Sequence, residues 1–84
     1  MKILVVRFSS IGDIVLTTPL LRALKNQLGN AEVHYLTKIQ FASILEDNPN
    51  VDKIIKITKS IDEVIDELRL EKYDHIIDLH NNIR

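Results

Sequence analysis

Four short apolar runs alternate with stretches of helical periodicity, and this alternation limits the possible folds more than any other feature of the chain. Residues 2–8 read as a first strand, built on Ile3-Leu4-Val5-Val6. Ala31–Thr37 reads as a second, and Val51–Ile57 as a third in which Ile55 and Ile57 alternate with Lys56. Tyr73–Leu79 reads as a fourth. A helix is predicted from about Gly12 to Leu28, with Ile14, Thr18, Leu21, Leu24 or Lys25, and Leu28 near helical spacing. Pro19 either bends that helix or lies in its first turn, with Thr18 starting the regular part. Gly29-Asn30 ends it. A short helix over 39–47 points Phe41, Ile44 and Leu45 inward and closes at Asn48-Pro49-Asn50. Ser60-Ile61-Asp62-Glu63 has the form of a capping box, and the helix behind it carries Ile61, Val64, Ile65 and Leu68 on one stripe.

A βαβαβαβ order implies an α/β fold with a parallel sheet and right-handed crossovers. The apolar first strand suits the centre, which gives strand order 3-2-1-4 in three layers. The first two helices then cover one face and the third covers the other. The order reverses between strands one and four, and in open α/β sheets ligands bind at such a point, beyond the carboxyl ends of the strands. The Ser9–Asp13 turn and the His80–Arg84 segment become neighbours there, although they lie at opposite ends of the chain.

Composition narrows the functional classes. At 84 residues the chain suffices for one small domain, and 45% hydrophobic residues supply a core. The net charge of −1, with acids and bases interspersed, offers no footprint for nucleic acid and no polybasic membrane patch. Without cysteine there is no disulfide frame, thiol nucleophile or Cys-based metal site. No apolar run approaches the ~18 residues of a membrane span, and the opening residues lack a signal-peptide cleavage site. These features point to a cytoplasmic protein with no transmembrane segment. No His, Asp or Glu spacing resembles a metal site.

The turn after strand one holds the richest chemistry: Ser9, Ser10, Gly12 and Asp13. Helix N-termini usually serve anions, and Asp13 would repel a phosphate placed there. A carboxylate in that position suits a neutral hydroxyl that must lose a proton. It equally complements the helix dipole. Gly12 permits close backbone approach to a ligand or simply makes a tight turn. Ser9 and Ser10 bind substrate hydroxyls or cap the turn. Arg7 either faces the cleft or is a solvated strand end. His80, Asn81, Asn82 and Arg84 form an ordinary polar loop or a binding segment, in which Asn suits hydroxyl-rich ligands and Arg suits anions. Asp78 needs a partner near the site or points outward. His34 and His75 read as structural. Neither G-x-G-x-x-G nor a Walker pattern occurs, so a dinucleotide or nucleoside triphosphate site is poorly supported.

Met1-Lys2-Ile3-Leu4-Val5-Val6-Arg7-Phe8-Ser9-Ser10-Ile11-Gly12-Asp13-Ile14-Val15-Leu16-Thr17-Thr18-Pro19-Leu20-Leu21 resembles the opening of the bacterial lipopolysaccharide heptosyltransferases, glycosyltransferase family 9. Tyr73–Arg84 looks like that family's fourth strand and following loop. The resemblance implies a Rossmann-like fold, the first half of the N-terminal domain of a two-domain GT-B enzyme. It implies that residues 1–84 form a partial acceptor-side domain, with no counterpart here of the C-terminal donor domain. It also implies inverting transfer of heptose from ADP-heptose to the lipopolysaccharide inner core, with no metal or cofactor, at the inner face of the inner membrane. Asp13 matches the family's general base. Arg84 falls where relatives carry a basic residue near the anionic acceptor. His80 and Asn81 stand where a Gln-Gly pair is common in other branches.

Two other readings compete. One is a small flavodoxin-like binding module. A phosphoacceptor receiver, however, wants an acidic pair after strand one, where this chain has Arg7-Phe8-Ser9-Ser10. The other is a non-enzymatic assembly component whose sheet is completed by a second chain. Asn81-Asn82-Ile83-Arg84 follows a strand pattern directly, so the chain is expected to be part of something larger or to self-associate through its uncovered sheet edge. In isolation it is expected to be inactive.

Overall fold

The computed structural model describes residues 1–80. In chain order the elements are β1 (Lys2–Val6), α1 (Ile11–Leu16), α2 (Thr18–Gln27), β2 (Glu32–Lys38), a 3₁₀ turn (Ile39–Phe41), α3 (Ser43–Glu46), β3 (Lys53–Ile57), a 3₁₀ turn (Ile61–Val64), α4 (Ile65–Glu71) and β4 (His75–Asp78). The sheet order is β3-β2-β1-β4, and every pairing is parallel. The expected order and the parallel sense are therefore both present. In register, Val5 lies opposite Tyr35 on β2 and Ile77 on β4.

β1 is central and buried on both sides, so its side chains feed two cores. Ile3 and Val5 join Val33, Tyr35, Ile14, Leu21 and Leu45 on the face covered by α1, α2 and α3. Leu4 and Val6 join Leu36, Ile55 and Ile57 on the opposite face, where Val64, Leu68 and Tyr73 pack over them. This division of helices between the faces follows from right-handed crossovers.

Each expected helix is divided or shortened, for local reasons. Pro19 has no N–H to offer Val15, so the long helix breaks at Thr17 into α1 and α2. The Thr18 hydroxyl takes over, donating to the Val15 carbonyl at 2.9 Å. Thr17 donates its own hydroxyl to the Ile14 carbonyl at 2.6 Å. The 39–47 segment is a 3₁₀ turn followed by a four-residue helix that buries Ala42 and Leu45 but leaves Ile44 half-buried. The third helix opens as a 3₁₀ turn. Glu63 gathers the backbone N–H groups of Thr58, Lys59 and Ser60, which fixes that start. Ile61 does not join the buried stripe and stays exposed.

β4 is an edge strand. Ile76 on the α4 side is 63% exposed. Beside it lies a hollow of about 550 Å³ lined by Leu4, Val6, Phe8, Ile65, Leu68 and Ile76, among others. Among the described residues, no helix is long and apolar enough to cross a membrane.

Candidate active site

The site is built at the carboxyl edge of the sheet, where β1 gives way to the loop that leads into α1. Asp13 occupies the third helical position of α1. Its Oδ2 is held from two sides. The Ser10 hydroxyl donates to it at 2.9 Å and the Ser10 backbone N–H at 3.4 Å. Arg7 Nη2 lies 2.8 Å away. No described residue bonds Oδ1, and the Asp13 side chain is 40% exposed. The Ser10 hydroxyl, followed by the Arg7 guanidinium, holds the carboxyl below its ordinary range. The group is therefore ionised at neutral pH, and its second oxygen bonds no described residue.

Arg7 continues the buried row Ile3, Val5 on the α1 side of the sheet. It is 6% exposed, so it is not a solvated strand end. Its Nη1 donates to the Leu79 carbonyl at 3.2 Å, which ties the first loop to the end of β4. Beneath it, Tyr35 and Thr17 share a buried hydroxyl–hydroxyl bond of 2.9 Å. Burial pushes the Tyr35 hydroxyl up and keeps it neutral.

The other expected site residues divide. Ser10 is engaged with Asp13, whereas the Ser9 hydroxyl bonds no described residue. The Ser9–Ser10 peptide is cis. Gly12 is exposed, and a Cβ built there would meet nothing within 4 Å, so packing does not require a glycine. His80 packs edge-on against Phe8 with ring centroids 4.9 Å apart, towards the α4 side. Its backbone N–H donates to Asp78 Oδ1 at 3.0 Å, and its side chain forms no hydrogen bond or ion pair with Asp13. Asn81, Asn82 and Arg84 lie outside the described residues. His34 is fully buried and structural, bonded to the Tyr73 hydroxyl at 2.7 Å and to Glu32.

Among the described residues, one cluster of ligand type lies at the opposite, amino edge. Glu32, His34 and Glu71 place ligand atoms within 4.8 Å of one another. Lys2 and Lys53 already neutralise Glu71, at 2.7 and 2.8 Å. The large hollow beside β4 is also separate from Asp13, and its lining is mainly apolar.

No protein-family model matches the chain. Curated and solved proteins do. Over its whole length the chain is 27% identical to lipopolysaccharide heptosyltransferase 1 of Campylobacter coli, of which it covers 26%. A glycosyl transferase family 9 structure from Veillonella parvula matches 94% of the chain at a TM-score of 0.86 and 30% identity, with 26% of that protein covered. The E. coli ADP-heptose lipopolysaccharide heptosyltransferase II matches 93% at 0.80 and 27%, with 24% covered. The chain is similar to the heptosyltransferases of glycosyltransferase family 9. It spans about a quarter of the length of these relatives.

Arg7 is a residue that reading the sequence left undecided between the cleft and a solvated strand end. The available signal was strand parity: a charge that continues the buried Ile3, Val5 row needs a partner. That partner, Asp13, lies one turn of chain away.

Proposed function

We propose that these residues form the acceptor-side part of an inverting heptosyltransferase in which Asp13 is the general base. The carrying observation is the Asp13 carboxylate at the carboxyl edge of β1, fastened through Oδ2 while Oδ1 bonds no described residue. Similarity to heptosyltransferases over the whole chain supports the substrate class. The donor is ADP-heptose and the acceptor a hydroxyl of the lipopolysaccharide inner core.

In this reading the acceptor hydroxyl approaches Oδ1. As its oxygen attacks the anomeric carbon, the bond from that carbon to the ADP oxygen breaks on the opposite face. The hydroxyl proton passes to Oδ1, ADP leaves with the bonding electrons, and the anomeric configuration inverts. A carboxylate held below its ordinary pKa is a weak base. It suffices where the hydroxyl becomes acidic late in the displacement. Donor binding falls to a second domain that these residues do not contain. In such an enzyme the hollow beside β4 is where a further right-handed crossover would pack. In the same reading Arg84→Ala is expected to raise the acceptor KM more than the donor KM. A cytoplasmic position at the inner face of the inner membrane follows from the same substrates.

The test is Asp13→Asn in the full-length transferase. Sugar transfer falls at least about a hundredfold, in line with general-base contributions, while ADP-heptose affinity is nearly unchanged. Wild-type turnover in the variant defeats the assignment.

A further inference from the structure

We propose that Arg7 is the positioning residue of this site: its guanidinium fork fastens Asp13 Oδ2 to the end of β4, so that Oδ1 alone is aimed at the acceptor hydroxyl. The inference rests on the reading of Asp13 as the base.

Three observations carry it. First, Arg7 occupies an inward position where an aliphatic side chain would suffice for packing. Burying a guanidinium there carries a desolvation cost that a Val or Leu would avoid. Its Nε is buried and bonds no described residue, so the local fold does not fully satisfy the group. Second, the fork makes two divergent contacts, Nη2 to Asp13 at 2.8 Å and Nη1 to the Leu79 carbonyl at 3.2 Å. A lysine has one nitrogen and cannot reproduce both directions. Third, those contacts join segments from the two ends of the chain across the point where the strand order reverses. The carboxylate is thus referenced to β1 and β4 together.

Few groups compete for Asp13. Ser10 reaches it from the loop and Arg7 from the residue that follows β1. From β2 and the α1–α2 junction, Tyr35 and Thr17 contribute only hydroxyls bonded to each other. After β4, His80 turns towards Phe8. Arg7 is therefore the cation acting on Asp13 among the described residues.

Positioning and basicity oppose each other here, and the opposition makes the role testable. The guanidinium weakens the base that it aims. Arg7→Gln leaves Asp13 a stronger base but a looser one. In the full-length transferase at saturating ADP-heptose, Arg7→Gln is expected to lower kcat about 10–100-fold, the scale of a misplaced reacting group. The donor KM stays the same, and the acid limb of the kcat profile moves to higher pH. Arg7→Lys keeps the charge and recovers part of the loss. Wild-type kcat with an unmoved acid limb in a folded Arg7→Gln variant overturns the proposal. If Arg7→Gln does not fold, Arg7→Lys decides: a lowered kcat with an unchanged donor KM supports the proposal, and wild-type kcat overturns it. Full turnover in Asp13→Asn would instead refute the base, whatever the Arg7 variants show.

Discussion

The guanidinium of Arg7 and the carboxylate of Asp13 meet at 2.8 Å across the loop between β1 and α1, the first side chain buried and the second 40% exposed. One partner is thus fixed in the core while the other reaches solvent. This asymmetry gives Asp13 a structural part to play besides any chemistry.

The structural part has its own pH signature. Asp13 titrates below its ordinary value in the folded chain because Ser10 and Arg7 favour the ionised form. A depressed carboxylate contributes stability that is present above its unfolded pKa and is lost as pH falls through the folded one. Asp13→Asn keeps an oxygen that can accept the Ser10 N–H but removes the charge. Urea unfolding at neutral pH should show a lower midpoint for Asp13→Asn than for wild type. The gap should close as the pH drops below the folded pKa of Asp13. A gap that persists unchanged in acid would mean that the charge pair is not its source.

Much of this arrangement was legible before the structure. Ile3–Val6 is apolar on both faces, which marks a central strand, and crossover handedness then leaves little choice of order. The helix interiors were less legible. Pro19 announced a break, but the Thr18 hydroxyl bond that fixes its position depends on three-dimensional reach. Strand parity with Ile3 and Val5 hinted at the burial of Arg7, but its second bond could not be read there, because Leu79, which accepts it, arrives from the far end of the chain. His80 illustrates the converse: sequence placed it at the correct edge, yet its ring packs on Phe8 towards the α4 side.

A second pH-dependent contribution sits at the start of the third helical segment. Glu63 accepts backbone N–H bonds from Lys59 at 2.6 Å, Ser60 at 2.9 Å and Thr58 at 3.0 Å. These donors pull its carboxyl down to about 2 from an ordinary 4.5. The stabilisation is therefore complete above pH 4.5 and fades towards pH 2. Glu63→Gln should melt lower than wild type at pH 7, and the two should converge near pH 2. Equal melting temperatures at pH 7 would show that the cap does not contribute.

Gly12 separates folding from ligand binding. No atom stands within 4 Å of where its Cβ would be, and the residue lies in α1. Alanine has the better helix propensity, by up to about 1 kcal/mol. Gly12→Ala should therefore raise stability slightly in chemical denaturation. If the backbone at this turn receives the acceptor closely, the same variant should raise the acceptor KM in the full-length transferase. A loss of stability would mean that the turn needs glycine after all.

The exposed side of β4 bears on how the 84 residues behave by themselves. Among the described residues β4 pairs only with β1, so its outer backbone groups are open to a further strand. Ile76 is 63% exposed beside the apolar hollow of about 550 Å³. An open edge next to an apolar surface favours association. Residues 1–84, purified alone, should therefore show a mass in solution that rises with concentration. Ile76→Lys should shift that equilibrium towards monomer, because a charge on the edge opposes both strand pairing and apolar contact. The same preparation should release no ADP from ADP-heptose in the presence of an acceptor, since a donor would meet only one side of a cleft. A monomer at all concentrations would overturn the association. Acceptor-dependent turnover would overturn the view that a second domain is needed to hold the donor.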